Sequence, residues 1–266
     1  MLHTFQHFRC LGRLLALVPV LALATFGRPV IAGLPETIER IKPSLVVIGT
    51  YQETRSPAFK GLGTGFVVGD GTLVATNAHV APTTTDPEAT EVLTVLIRNA
   101  NGVIQSRQAR KIAADDDHDL ALLKLNGPPL VPLNLGSSNA LGVREGQRIA
   151  FSGFPILDVL GVFPTTSRGI ISAIAPIAIP GADARQLGGK QIRRLKRGSF
   201  DIYQLDATAY PGNSGSPLYE ADSGEIIGII NMVLVKSIKE NAISAPSGIT
   251  YAIPIRYLQA LLQTAR

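Results

Sequence analysis

Cysteine is almost absent from this chain, whose 266 residues contain one, Cys10. Phe8 and Arg9 precede it, rather than the small apolar residues that a lipid-attachment site requires. Without the N-terminal segment that carries Cys10, the chain has no cysteine. It then has no disulfide, no thiolate metal site and no cysteine nucleophile.

Charge is also sparse, at 17% of residues with a net charge of +5, and no aromatic and basic platform for nucleic acid accompanies it. The apolar run Leu14–Phe26 follows two arginines and contains the small-x-small site Ala22-Leu-Ala24. It is shorter than the run of about 20 residues that a membrane-spanning helix needs. We predict that residues 1–32 are a signal peptide cleaved after Ala24, and that the protein is periplasmic or secreted. An uncleaved, anchoring segment is the alternative.

Amphipathic stretches of about 10–15 residues are missing from the middle of the chain, which argues against an alternating α/β fold. Short Val/Ile/Thr-rich strands separated by glycine and proline turns occupy this region. Pro35–Ile41 predicts a short N-terminal helix, and the apolar residues of 255–265 share one face of a predicted C-terminal helix. The pattern suits two small β-barrels or one large β-sandwich, divided at the Pro/Gly/Ser-rich interval 127–141.

Glycines in Gly61-Leu-Gly-Thr-Gly65 superficially resemble a phosphate-binding loop. A dinucleotide fingerprint opens a helix after a strand, whereas these glycines open the predicted strand Gly65–Val68. Asp70-Gly71 then predicts a hairpin turn. The sequence therefore does not favour a nucleotide site, and we expect no cofactor.

Glycine and proline crowd around one serine in Gly212-Asn-Ser-Gly-Ser-Pro217. The glycines can take backbone dihedrals that other residues avoid, and they let a ligand approach the backbone. Such a turn can aim the amides of Gly212 and Ser214 at one point beside the Ser214 hydroxyl. One interpretation is a nucleophile with an oxyanion hole; the other is an ordinary turn with a surface serine.

Histidine limits the possible bases, because only four are present and two of them, His3 and His7, lie in the predicted signal peptide. His79 and His118 remain. No histidine follows Ser214, which excludes the Ser-Asp-His chain order of α/β-hydrolases. The subtilisin order, Asp-His-Ser, belongs to an α/β fold whose pattern this sequence lacks. The order His-Asp-Ser is left.

Three short motifs in that order resemble those of trypsin-like serine proteases, most closely the HtrA/Deg branch. They are Thr76-Asn-Ala-His-Val80, Asp119-Leu-Ala-Leu-Leu-Lys124 and Gly212-Asn-Ser-Gly-Ser-Pro217. The resemblance spans roughly residues 35–265. It implies that residues 33–266 form an all-β domain of two six-stranded antiparallel β-barrels, at about 44–126 and 142–254, with a short N-terminal helix and a C-terminal helix at 255–265.

The resemblance also implies site residues. Its catalytic triad would be His79, Asp119 and Ser214, and Gly212, Asn213 and Ser214 would form the oxyanion hole. No metal is implied.

Asp119 competes with Asp115–Asp117 for the role of the triad carboxylate. The family pattern places this carboxylate directly before the apolar motif, as Asp119 is placed. The physical argument agrees, because such a carboxylate should sit where the chain enters the core, whereas three successive aspartates are best solvated. His118, beside Asp119 in a charged turn, is interpreted as a bystander.

The residue six positions before the serine lines the primary pocket of trypsin-like folds. Here it is Thr208, which is uncharged, so the resemblance implies a small or medium apolar side chain at the cleavage site. Tyr210 and Asn231 are expected to line the same pocket.

Polypeptide substrates are the implied partners, and homo-oligomers are frequent among HtrA relatives. The basic segment 190–197 is either a solvated loop or a contact for an acidic or regulatory partner. The sequence ends after the predicted helix, so we do not expect the PDZ domain that commonly follows. The leading interpretation is an exported serine endopeptidase that acts through an acyl-enzyme. A catalytically silent binding module of the same fold and a hydrolase of small esters are the alternatives.

Overall fold

The structure, a computed structural model, describes residues 33–83, 90–99, 101–136, 142–176, 200–232 and 249–265. The predicted signal peptide and the basic segment 190–197 lie outside the described residues.

Six antiparallel strands form the first barrel. They are β1 (Leu45–Tyr51), β2 (Phe59–Val68), β3 (Leu73–Asn77), β4 (Val92–Arg98), β5 (Ile104–Asp115) and β6 (Leu120–Leu125). Their spatial order is β1-β2-β3-β6-β5-β4, and β4 pairs with β1 to close the barrel. The closed ring leaves no free strand edge among these six.

The second barrel repeats this arrangement. Its strands are β7 (Arg148–Gly153), β8 (Thr165–Pro176), β9 (Asp201–Asp206), β10 (Pro217–Glu220), β11 (Ile226–Ile230) and β12 (Ile249–Pro254). They close in the order β10-β11-β12-β9-β8-β7. The predicted double barrel is therefore confirmed, and the β-sandwich is excluded.

Helices are few and short in the described part of the chain. They are α1 (Leu34–Ile41), α2 (Leu157–Leu160) and α3 (Ile255–Thr264), with 3₁₀ turns at Lys42–Ser44 and Ala78–Val80. The predicted N-terminal and C-terminal helices are confirmed by α1 and α3. The sequence reasoning missed two elements, α2 and the short strand β10.

Strand β1 is an almost unbroken apolar run because both of its faces are covered. Successive side chains of a strand point to opposite sides. Val46 and Ile48 pack inside the first barrel. Leu45 and Val47 belong to a second core, which also contains residues of the second barrel and of α3. The interior of the second barrel forms a third core around residues such as Phe151.

The central core unites the two barrels and thereby fixes the relation between their loops. Phe66 of the first barrel, Tyr219 of the second and Leu258 of α3 all lie in it, each fully or almost fully buried. Beside this core, β2 contacts the connection between β9 and β10 directly, because Thr64 N donates to Ser214 O at 2.9 Å. The segment that carries Ser214 is therefore held against the first barrel.

Candidate active site

His79 lies in the 3₁₀ turn that directly follows β3. The turn is tied to the end of the β5–β6 hairpin, since Ala78 N donates to Asp119 O at 3.0 Å and the Asn77 side chain donates to the same oxygen at 3.1 Å. Pairing of Asn77 with Leu120 continues this contact into the sheet. Residues 40 positions apart in the sequence are thus held side by side by ordinary strand pairing.

Asp119 is the last residue of the β5–β6 turn and has a left-handed backbone, with φ 54°. Its carboxylate accepts three hydrogen bonds. Oδ1 accepts the His79 amide at 3.0 Å, and Oδ2 accepts His79 Nδ1–H at 2.6 Å and the Asn231 side-chain amide at 2.8 Å. The structure thus brings Asp119 to His79, as the sequence motif leads us to expect.

Burial by itself would raise the pKa of Asp119, but the hydrogen bond and charge of His79, together with the Asn231 amide, hold this pKa below its ordinary value. The carboxylate is therefore ionised at neutral pH. An ionised carboxylate can only accept, so the proton of a neutral His79 lies on Nδ1. This leaves Nε2 of His79 with a free lone pair, as a general base requires.

Ser214 lies in a turn whose backbone requires glycine at two positions. Gly212 and Gly215 have φ values of +99° and +87°. A Cβ on Gly212 would lie 2.3 Å from Phe154 O, and one on Gly215 would lie 2.0 Å from Thr64 O. Both glycines are thus required by conformation and by packing.

The amides of this turn divide into two groups. Asn213, Gly215 and Ser216 each donate to a backbone carbonyl, at 3.0 Å in every case. By contrast, neither Gly212 N nor Ser214 N donates to any acceptor within the described residues. These two free amides are the ones that the sequence predicts for an oxyanion hole.

Carbonyl groups of the same turn are pinned from outside it. Ile156 N donates to Pro211 O at 2.7 Å, and the Thr64 hydroxyl donates to Gly212 O, also at 2.7 Å. Because the C=O and N–H of a trans peptide point in opposite directions, the Ile156 contact also fixes the direction of Gly212 N–H. Thr64 Oγ1 in turn accepts Phe154 N at 3.0 Å.

Ser214 and His79 are not hydrogen-bonded to each other in the structure as described. Ser214 Oγ accepts a long hydrogen bond from Met232 N, at 3.4 Å. Ser214 is 6% exposed, and the His79 side chain is 31% exposed. Contacts of this kind are often loose without substrate and tighten in its complex.

A family model for the trypsin-like peptidase domain matches residues 63–229 of this chain. This span contains His79, Asp119 and Ser214. The chain belongs to the trypsin-like peptidase family.

Named relatives place this trypsin-like peptidase near the HtrA branch. A probable periplasmic serine endoprotease DegP-like of Halomonas elongata is 32% identical over 211 residues, which are 78% of this chain and 34% of the relative. Serine protease HTRA1 of Xenopus tropicalis is 30% identical over 225 residues, 82% of this chain and 40% of that protein. The chain thus spans about a third to two fifths of the length of these relatives.

Among solved structures, the HtrA-type protease AlgW with tripeptide is similar to this trypsin-like peptidase, with a TM-score of 0.58 and 26% identity. The similarity covers 87% of this chain and 62% of that one. The resemblance to the HtrA branch that the motifs indicate is therefore confirmed.

The three residues predicted for the specificity pocket of this trypsin-like peptidase differ in exposure. Thr208 is half-buried, and Tyr210 is 41% exposed. Asn231 is buried, and its side-chain amide is directed at Asp119 rather than left free for a ligand.

Two contacts were not anticipated from the sequence. Thr64 and Ile156 are far from Ser214 in the chain, and no motif marks them. The glycines that flank Thr64 give a partial signal, because Gly63 and Gly65 allow close approach: a Cβ on Gly63 would lie 2.9 Å from Ser214 O. Ile156 carries no sequence signal.

Neither a metal site nor a membrane-spanning helix is present within the described ranges. No group of histidine, aspartate and glutamate side chains there could hold a metal ion. No helix there is long and apolar enough to cross a membrane.

Proposed function

We propose that this protein is a serine endopeptidase with a triad of His79, Asp119 and Ser214. The observation that carries the proposal is the 2.6 Å hydrogen bond from His79 Nδ1 to Asp119 Oδ2. It is joined by a serine turn in which the amides of Gly212 and Ser214 have no acceptor among the residues that the structure describes. Membership of the trypsin-like peptidase family supports it. Polypeptides are the proposed substrates.

Ser214 Oγ attacks the carbonyl carbon of the scissile peptide while His79 Nε2 takes its proton. The resulting oxyanion accepts hydrogen bonds from Gly212 N and Ser214 N, with Asn213 setting the shape of the turn between them. Collapse of this intermediate breaks the C–N bond, and His79 gives the proton to the leaving amine. Water then hydrolyses the acyl-enzyme by the same route, and Ser214 regains its proton.

Asp119 stabilises the imidazolium that forms when His79 takes the proton. Its replacement by asparagine should lower kcat by about 10⁴, because the amide can hold the wrong tautomer of His79. One oxyanion donor contributes about 3–4 kcal/mol to the stability of the transition state. The two free amides are therefore as important to the rate as the triad carboxylate.

Export is the second part of the proposal. Residues 1–32 have the pattern of a signal peptide, and one relative is named as a probable periplasmic endoprotease. We propose a periplasmic or secreted location with cleavage after Ala24. Mass spectrometry of the protein purified from the exported fraction should find an N-terminus at Thr25; an intact N-terminus at Met1 would contradict cleavage.

Substrate choice is proposed from the uncharged Thr208. With no acidic group at this position, we propose small or medium apolar side chains on the acyl side of the cleaved bond, with Tyr210 and Asn231 as neighbouring residues. Two further features stay predictions. They are an acidic or regulatory partner for segment 190–197 and a homo-oligomer.

A peptide-library digestion with the purified protein tests the activity, with Ser214→Ala as the matched control. Cleavage by the wild type alone, after small or medium apolar residues, is expected. Cleavage after arginine or lysine would contradict the pocket assignment. Hydrolysis of small ester substrates without any peptide cleavage would contradict the endopeptidase proposal and indicate an esterase.

A catalytically silent binding module is the second candidate, because Ser214 Oγ is hydrogen-bonded to Met232 N rather than to His79. The same digestion separates the two functions. Under the binding-module reading, peptides that bind the folded wild type would remain uncut, and Ser214→Ala would bind them equally well.

A further inference from the structure

A second histidine–carboxylate pair lies in the same turn as Asp119. His118 Nδ1–H donates to Asp115 Oδ2 at 2.6 Å. The other oxygen of Asp115 accepts the amides of Asp117 and His118, each at 3.1 Å. The proposed mechanism does not use this pair, although it lies one residue from the triad carboxylate.

The ring of His118 also connects the first barrel to α3 and to the start of β9. It stacks on Tyr257 with a centroid distance of 3.9 Å and an interplanar angle of 19°. Phe200 meets both rings edge-on, at 4.6 Å from His118 and 5.5 Å from Tyr257. The His118 side chain is only 22% exposed within this cluster.

The Tyr257 ring is also contacted by the neighbouring side chain of Arg256. The guanidinium of Arg256 lies 4.8 Å from the Tyr257 ring centroid and donates to the Tyr257 hydroxyl at 3.1 Å. Arg256 also donates to Asp201 at 3.1 Å, which links α3 to β9. His118 thus stacks on a ring with a fixed position.

Asp119 requires such support, because its backbone occupies a sparsely populated region, with φ 54°. A non-glycine residue stays there only when its surroundings hold it. His118 immediately precedes Asp119, so anchorage of the His118 ring restrains the peptide bond from which the φ of Asp119 is measured. The carboxylate must then meet His79 Nδ1 at 2.6 Å.

We propose that His118 is a positioning residue, which together with Asp115 and Tyr257 holds Asp119 in the orientation that His79 requires. This inference rests on the proposed function. It gives α3 a role in the reaction, because the C-terminal helix then supports the triad carboxylate through one aromatic stack.

Kinetics of His118→Ala and Tyr257→Ala test the inference. Each variant should lower kcat by about tenfold with KM within about twofold of wild type, since a small misplacement of a catalytic group is costly. Tyr257→Phe keeps the ring and should stay within about twofold of the wild-type kcat. Because both single variants break the same stack between His118 and Tyr257, the double variant should lose little more than His118→Ala alone.

Proton NMR gives a readout that a merely structural role would not move. The short hydrogen bond between His79 Nδ1 and Asp119 should give a low-field resonance in the wild type, and this resonance should broaden or shift in His118→Ala and Tyr257→Ala. Should His118→Ala fail to fold, His118→Phe keeps the stack and loses the bond to Asp115, and we expect a loss of about threefold in kcat.

Wild-type kcat and an unchanged low-field resonance in the folded variants, even with lower thermal stability, would overturn the inference. If the fold-loss in kcat of the double variant equals the product of the two single fold-losses, His118 and Tyr257 do not act as a pair, and this part of the inference is overturned. An inactive wild type would instead refute the proposed function. In that case the resonance would still report whether His118 positions Asp119.

Discussion

At the scale of single residues, Asp119 and Ile156 are the two non-glycine residues with left-handed φ in the described chain, and both lie at the candidate site. Ile156 is the more strained, since a β-branched side chain is a rare occupant of this region. Its φ is 45°, and its amide donates to Pro211 O at 2.7 Å. We attribute the retained strain to this hydrogen bond, which orients the amide of Gly212.

Two substitutions of Ile156 distinguish the contribution of its backbone amide from that of its side chain. Ile156→Gly keeps the N–H and relieves a conformational cost of about 1–2 kcal/mol, so kcat should stay within about twofold. Ile156→Pro removes the N–H and also excludes the left-handed φ, because proline fixes φ near about −65°. It should therefore lower kcat by at least about 10²-fold, the usual effect of losing one oxyanion donor. Steady-state kinetics with an unfolding curve for each variant provide the check; a folded proline variant with wild-type kcat would contradict the role of this bond.

The lowered pKa of Asp119 predicts a pH dependence of stability. Its folded pKa lies below the ordinary value of 3.8, so the ionised group stabilises the fold above about pH 4, and this contribution is lost as pH falls through the folded pKa. The difference in unfolding free energy between wild type and Asp119→Asn should therefore shrink from pH 6 to pH 3. Denaturant unfolding at the two pH values measures it, and a constant or growing difference would count against the assignment.

Residue identities at the centre of the site could be predicted, whereas their supporting contacts could not. His79 and Asp119 follow from histidine scarcity, chain order and motif resemblance, and the structure brings them together. The sequence predicts Asn231 as a pocket residue, but it does not predict the hydrogen bond from the Asn231 amide to Asp119. A buried polar residue near a strand end has the same sequence pattern whichever partner it meets, and only the fold selects the carboxylate.

At the scale of elements, β2 pairs within the first barrel and also forms hydrogen bonds to the second. Thr64 on this strand is fully buried, its hydroxyl donates to Gly212 O and accepts Phe154 N, and its amide donates to Ser214 O. One residue of the first barrel thus contacts two parts of the second barrel's site. Sequence pattern gives the strand, but not the hydrogen bonds that reach across to the other barrel.

Thr64→Val tests this bridge with an almost unchanged shape. It leaves the buried Phe154 amide without its acceptor, which should cost about 1–3 kcal/mol of stability, and it frees the Gly212 carbonyl, so kcat should fall by about tenfold. Thr64→Ser keeps the hydroxyl and should retain kcat within about twofold. Denaturant unfolding and kinetics would disprove the bridge if valine and serine behaved alike.

Two elements escaped prediction for different physical reasons. Strand β10 begins at Pro217, inside a turn-rich motif. It has only four residues, which are too few to show the alternation of apolar and polar side chains that indicates a strand. Helix α2 also has four residues, and a left-handed Ile156 precedes it. Tertiary packing, rather than intrinsic propensity, selects such short elements.

At the scale of the whole molecule, the double barrel explains why the candidate site lies between two cores. His79 and Asp119 come from connections of the first barrel, and Ser214 comes from a connection of the second. The central core around Phe66 and Tyr219 keeps these connections in register. Strand-rich composition alone left a β-sandwich open, and the family resemblance was needed to choose the barrels.

The central claim is that Ser214 is a nucleophile activated by His79. Labelling the folded protein with a fluorophosphonate, followed by peptide mapping, tests it most directly. We predict one adduct per chain, on Ser214, which is absent in Ser214→Ala and forms far more slowly in His79→Ala. A folded wild type that stays unlabelled, or that carries its adduct on another residue, would contradict the account.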